Sequence, residues 1–426
     1  MRETREKVEV GEIKRESLVA VHTHTHTSSF SEIIKSEKAI TLVALVVTII
    51  VLIILAGVSI SLVIGNNGIM QKAAKGREDY TGAAINEQLD LNKIEDYIED
   101  NTGNVVPIES AKGGSYFGEP TIVKDTNGNF IKVPQGFKIA ADSGLNVTEG
   151  IVIEDNDIIE GIGNNRGNQY VWIPVGNEIK KSDGTTVNIT LGRYEFATNG
   201  TPTLKQDAVN YTQEIIIKSY YKELATSRIG AVASNRLNDT NTTALDLKGF
   251  VESVKASGGY YIARYEASYG TDGKANSKVS DTYAISTPNK EGQLWNNITQ
   301  INAATASRDL YSTLNSDLIN SYAWDTAIVY IQNFSGATDY SRQTSSNTSL
   351  ANTGVNSDEK CKINDMASNT YEWTTEYCTY TYSSDAYPCT FRGGYYNSSS
   401  HCTGNRYNDT VPDSNNFISF RCALYM

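Results

Sequence analysis

The feature that most restricts this chain is a run of 26 residues, 39–64, in which no side chain carries a charge; the next ionisable residue is Lys72. A helix needs roughly 20 apolar residues to cross the hydrocarbon of a bilayer, and a run this long has few other stable solutions. One membrane-spanning helix, 39–65, is therefore expected, with a polar leader, 1–38, before it. Lys35 and Lys38 flank one end, while Lys72, Lys75 and Arg77 follow the other only after a polar break at 65–68, so charge alone does not orient the helix. The leader holds three of the four histidines at alternate positions, His22, His24 and His26. In a strand these would share one face and could hold a metal. A low-complexity leader, or coding sequence upstream of the true start, reads the same residues without one.

Beyond the apolar run, helix formers continue over 66–104, where Leu91, Ile94 and Ile98 recur at helical spacing. This reads as a helical stalk. From 105 to 167, short alternating segments (121–123, 130–133, 150–153) are separated by Gly, Asn and Pro turns, as in a β-rich spacer or the first strands of the next domain. Val171, Trp172 and Ile173 mark a strand, residues 214–224 a helix, and 321–333 another helix. Trp324 and Trp373 read as core anchors rather than cofactor stackers. The chain is long enough for two or three domains. Its formal charge of -12 and pI near 5.0 argue against nucleic acid as a partner, which needs clustered Lys and Arg.

The last sixty or so residues differ from the rest. They are studded with Tyr, Ser, Asn and Gly and nearly free of long charged side chains, the composition antibody loops use for adaptable contact. All five cysteines (361, 378, 389, 402, 422) fall there, either as small buried hydrophobes or as one or two bridges stapling loops, with at least one thiol left over.

Within this region Asp365-Met366-Ala367-Ser368-Asn369-Thr370-Tyr371-Glu372-Trp373-Thr374, then Arg392-Gly393-Gly394, then Phe420-Arg421-Cys422-Ala423 resemble the sulfatase-modifying-factor family, which includes the formylglycine-generating enzyme. Upstream, 322–327, 259–267 and 170–175 extend the likeness, so that it covers about 168–426. Ser368 and Ser419 stand where that family usually has Gly. The resemblance implies an α+β, C-type-lectin-like fold over 168–426. It also implies a calcium site near the motif, for which Asn369 and Glu372 supply oxygens; the residues alone read equally as buttresses of a turn. Separately, Lys38-Ala39-Ile40-Thr41-Leu42-Val43 ahead of the apolar helix resembles the prepilin-type segment of Gram-positive type IV pilin-like proteins, cut here between Ala39 and Ile40. Ala39 replaces the usual Gly and Ala44 the usual Glu. That likeness implies pilus-like subunits as partners and, cut or uncut, a carboxyl-terminal bulk outside the cell.

The chemistry of the enzyme family is not matched. Its copper-binding pair follows R-G-G in a spacing that places Ser398 and Thr403 where two thiolates are required, with Cys402 one residue away. Beyond the apolar run the only histidine is His401, too few for the iron sites of related folds. From Tyr377 to Tyr425 there is no Lys, Glu, Gln, Met or Trp. These five are out of reach when only the adenines of an Asn codon ending in a pyrimidine change. That pattern resembles the variable proteins of diversity-generating retroelements, and places a variable region at about 377–425, with its core between 395 and 418. Ordinary Tyr- and Asn-rich loops read the same.

The expectation is a single-pass membrane protein with its lectin-like domain outside the cell. It would bind an extracellular protein or glycan, without catalysis or a required cofactor, through Tyr395, Tyr396, Asn397, Ser399, His401, Asn405, Tyr407 and Asn408. A formylglycine-generating-type oxidase and a structural pilin-like subunit are the alternatives.

Overall fold

The computed structural model describes residues 105–156, 167–223 and 247–426, apart from 271, 279–281, 284–291, 309, 312–313, 356–357, 384 and 412. The leader, the apolar run with Ala39 and Ile40, and the stalk lie outside the described residues. Among the described residues no helix is long and apolar enough to cross a membrane.

The fold is mostly β with few helices. In chain order the strands of its two larger sheets are β1 (Phe137–Ile139), β2 (Val152–Asp155), β3 (Gln169–Pro174), β4 (Tyr221–Lys222), β5 (Gly259–Ala263), β6 (Asn315–Leu318), β7 (Tyr371–Cys378), β8 (Cys389–Arg392), β9 (Arg406–Asp409), β10 (Ile418–Phe420) and β11 (Cys422–Tyr425). The first sheet runs β6-β11-β5-β3-β2-β1. Thus β1 and β2, from the 105–167 segment, are the edge of the same sheet as β3, not a free-standing spacer. At its centre β3 and β5 are buried throughout and pair antiparallel, with Trp172 opposite Tyr261. Strands covered on both faces lose the polar alternation of surface strands, which is why 170–175 reads as one apolar run.

The second sheet runs β4-β7-β8-β9. β7 is shared along one side. Its first half pairs in parallel with β10, Trp373 opposite Phe420, and its end pairs antiparallel with β4, Tyr221 opposite Cys378. Since β10 leads through Arg421 directly into β11, the chain's last nine residues tie the two sheets together. Helix α1 (Leu247–Ser257) packs on β5, and helix α2 (Gln300–Ser307) lies against β6 and β7.

Helix α3 (Ser321–Phe334) is where the sequence places it. Asn320 caps it by accepting from the Ala323 N–H at 2.9 Å, a contact that typically contributes about 1 kcal/mol. Nearly every residue of α3 is buried, and the indole N–H of Trp324 donates to the Thr403 carbonyl at 3.1 Å. Trp373 is equally buried and donates to the Ile298 carbonyl.

One element departs from expectation. The stretch from Glu214 is not helical; Ile217 bridges Tyr221, and Lys218 and Ser219 both adopt left-handed backbone. Two consecutive residues there cannot continue a right-handed helix, and the chain turns instead into β4.

Candidate functional site

The three carboxyl-terminal motifs converge because each buries a group that another completes. Asp365 and Asn369 turn the backbone with positive φ, and the Asp358 carboxylate accepts from the Asp365 and Ala367 N–H groups at 2.8 and 3.0 Å. Against this turn lie Gly393 and Gly394. A Cβ on Gly394 would sit 2.2 Å from the Ala367 carbonyl oxygen, and one on Gly393 2.8 Å from that of Met366. Only glycine allows this approach. Glu372, on β7, forms a fully buried two-pronged pair with Arg421, whose Nε donates to Oε2 at 2.6 Å. The same guanidinium donates to the Ala263 and Asn364 carbonyls.

A second buried network underlies the tail. Arg392 donates to Asp325 of α3 at 2.5 Å, and Arg406 of β9 bridges Asp325 and Glu376. Arg193 reaches Glu376 at 2.6 Å, and every one of these side chains is fully buried. Burial alone would raise Glu376, but the guanidiniums of Arg406, Arg193 and Arg392 outweigh it and hold the carboxyl at about 2.

On this foundation the expected residues lie at the surface. Tyr395, Tyr396, His401, Asn405, Tyr407 and Asn408 are half-buried; Asn397 and Ser399 are exposed. Between them Ser398, Cys402, Thr403, Gly404 and Arg406 turn inward. Backbone bonds fix the loop at Tyr396 N–H to Asn369 O (2.9 Å), Asn397 N–H to Asn347 O (2.7 Å) and Gly404 N–H to Ser341 O (2.9 Å).

Four of the eight join one aromatic cluster. Tyr395 stands 4.6 Å from Tyr371, centroid to centroid, 5.7 Å from His401 and 5.6 Å from Tyr396; Tyr407 stands 4.8 Å from His401 and 5.5 Å from Phe391. Asn405 adds a bond to the Tyr407 hydroxyl at 2.6 Å. Asn408 is not in the cluster, because its side-chain oxygen accepts from the Tyr221 hydroxyl at 3.0 Å.

Sequence reasoning did not place Tyr371, Phe417 or Ser398 in the face. Tyr371 contacts five rings of the cluster, and its hydroxyl, with that of Ser398 at 2.9 Å, meets His401 Nδ1. A signal did exist: Tyr371 and Trp373 are two apart on a strand and so share a face.

Of the groups considered for metals, His22, His24 and His26 lie outside the described residues, and Asn369 and Glu372 make other contacts. Asn369 accepts from the Ala351 N–H and donates to the buried Glu266, while Glu372 is held by Arg421. In these contacts both buttress the turn. Ser398 and Thr403, which the resemblance sets where copper-binding thiolates were looked for, bond His401 and the Gln343 carbonyl respectively. All five cysteines are buried free thiols, and burial pushes Cys361, Cys378 and Cys422 up to about 12. A cleft of about 490 Å³ opens elsewhere, beside β1 and β2, and none of the eight residues lines it.

No protein family and no curated protein matches the chain. Among solved structures it is similar to CarF, at 13% identity over 47% of this chain and 95% of that one, with a TM-score of 0.29. It is similar also to the M1 variant of the Major Tropism Determinant, at 13% identity over 73% and 82%, TM-score 0.31. Treponema denticola variable protein 1 is matched at 12% identity over 62% and 97%, TM-score 0.25. Likenesses this distant carry nothing about activity.

Proposed function

We propose that this chain is a surface-displayed recognition protein. A C-type-lectin-like domain, held outside the cell by the apolar helix at 39–64, would bind an extracellular partner through its carboxyl-terminal aromatic face. One observation carries the reading: Tyr395, Tyr396, His401 and Tyr407 are pre-assembled, partly exposed, over a scaffold tied together by buried ion pairs. Rings already packed against one another lose little freedom on binding, and tyrosine offers wide contact for few rotatable bonds. The ordered motifs support the lectin-like architecture, since each is explained by a contact with another. The alternation of outward and inward residues between 395 and 408 also supports diversification of the outward ones. The eight residues lie between the buried strands β8 and β10, within the variable region expected at about 377–425.

The test displays the full chain on bacterial cells and measures their adhesion to arrayed extracellular proteins and glycans. Adhesion that is abolished by Tyr395→Ala with Tyr407→Ala, at unchanged display, supports the reading. Adhesion indifferent to that pair, or none to any arrayed molecule, overturns it.

A further inference from the structure

Tyr371 lies beneath the face, 5% exposed, and is none of its eight residues. Its backbone is held on both sides of β7. The Tyr371 N–H donates to the Phe417 carbonyl at 2.9 Å, the residue itself pairs with Ile418 of β10, and its neighbour Glu372 pairs with Arg392 of β8. Further along the strand the Glu372 carboxylate is fixed by Arg421, and the Trp373 indole donates to the Ile298 carbonyl at 2.8 Å. A strand paired along both edges cannot shift without leaving buried backbone groups unpaired, so the Tyr371 ring has one place to stand.

The rings above it are held more loosely. Tyr395 and His401 stand on the loop between β8 and β9, and Tyr407 on β9, the outermost strand of its sheet, so less backbone surrounds them to set their direction. All three lie against Tyr371, with centroids at 4.6, 5.6 and 5.3 Å, and Phe391 and Phe417 complete its surroundings at 4.7 and 6.2 Å. The planes meet it at angles from 37° to 79°, so both the face and the edge of the ring are in use. An aliphatic side chain has comparable volume there but not that shape.

We infer that Tyr371 is the positioning residue of the face: its ring, fixed by β7, sets the directions of Tyr395, His401 and Tyr407 together without itself meeting a partner. What the face is used for rests on the recognition reading above; the positioning does not. The three outward rings then act as one unit. A change at Tyr371 disturbs them all, whereas a change at one of them disturbs its own contacts alone. The Tyr371 hydroxyl also meets His401 Nδ1, but the role falls to the ring, which Tyr371→Phe keeps.

The chain has only four histidines, so the imidazole signals of the full chain, labelled with ¹³C-histidine in detergent micelles, are few, and His401→Gln assigns the one wanted. Spectra are taken at about pH 8, where imidazoles are neutral. Neighbouring rings displace the His401 ring-proton signals from their position in the urea-unfolded chain. Tyr407 is the nearest ring, at 4.8 Å, so if the neighbours simply add, Tyr407→Leu should remove most of that displacement. The expected result is instead that Tyr371→Leu removes more than Tyr395→Leu or Tyr407→Leu, that Tyr371→Phe keeps the wild-type position, and that each variant still unfolds cooperatively in urea. Should Tyr371→Leu not fold, Tyr371→Met, an unbranched and adaptable filler, takes its place. Where the displayed chain adheres, Tyr371→Phe should keep the adhesion and Tyr371→Leu should weaken it by about tenfold or more, at equal display. A displacement that follows Tyr407, one that is lost in Tyr371→Phe, or adhesion unchanged in Tyr371→Leu overturns the assignment. So does failure of the Leu and Met variants alike to fold, which would make the ring a support of the whole domain. None of these outcomes touches the recognition reading, which stands or falls on adhesion of the Tyr395 and Tyr407 variants.

Discussion

Arg406 lies within the segment read as variable, yet its side chain is among the least changeable in the protein. Its guanidinium spans Asp325 and Glu376 with no exposed surface, and the same head group donates to the Tyr194 carbonyl. Moving a charge from water to such a place is costly, and the cost is recovered only while its partners remain. Arg406→Met would leave two buried carboxylates short of a donor, with Arg392 and Arg193 unable to follow. A loss of about 3–5 kcal/mol in urea unfolding is expected, as for other broken buried pairs. Ser399→Ala, two residues beyond an exposed turn and without a bonded side chain, should change the same measurement by less than about 0.5 kcal/mol. Equal effects from the two would show that the network is not what holds the tail in place.

At the scale of elements, the segment that follows β9 behaves differently from the loop before it. Asp409 ends β9 and, through burial first and then the neighbouring Asp413, its carboxyl is raised to about 7. A carboxyl raised on folding contributes stability that is complete below its unfolded value and is lost as pH rises through the folded one. Between about pH 4 and 7 the 409–417 segment should therefore loosen, and hydrogen exchange at its amides should quicken. Asp409→Asn removes the titration, so its exchange should stay flat, after allowance for the intrinsic pH dependence; a variant that follows the wild type would refute the assignment. This loop also shows what could be read in advance. Strand β3 and helix α3 were legible because apolar period and neighbouring residues settle them locally. The false helix from Glu214 arose because β4 forms only by pairing with β7, more than 150 residues away. That the eight residues named from composition and motif order reach the surface is what the structure adds to them. Tyr371 left a trace in its two-residue spacing from Trp373, but Phe417 left none, because its place in the cluster depends on β7 and β10 lying side by side, which no local pattern states.

Taken as a whole, the molecule separates the contacts that fix the fold from the outward side chains proposed to meet a partner. Scaffold contacts, namely Glu372 with Arg421, Arg392 and Arg406 with Asp325, and Gly394 on the Ala367 carbonyl, use none of the eight outward side chains. The loop itself is pinned by backbone bonds, which any residue there can make except proline. Simultaneous replacement of Tyr395, Tyr396, Asn397, Ser399, His401, Asn405, Tyr407 and Asn408 by residues reachable from Asn codons should then leave most variants folded. Some aromatic contacts are lost, each worth about 0.5–1.5 kcal/mol, but none is a buried unpaired charge. Asn397 should retain a bias toward Asn, Asp or Gly, since its φ is +63°. The same library placed on Ser398, Thr403, Gly404 and Arg406 should collapse. A Cβ on Gly404 alone would come within 2.9 Å of the Phe196 ring and 3.0 Å of the Ser341 carbonyl oxygen. Sorting both libraries of the full chain for protease-resistant display, then sequencing, compares them directly. If the outward set tolerates no more change than the inward one, face and scaffold are a single packed unit, and a tail that varies while the fold persists is ruled out.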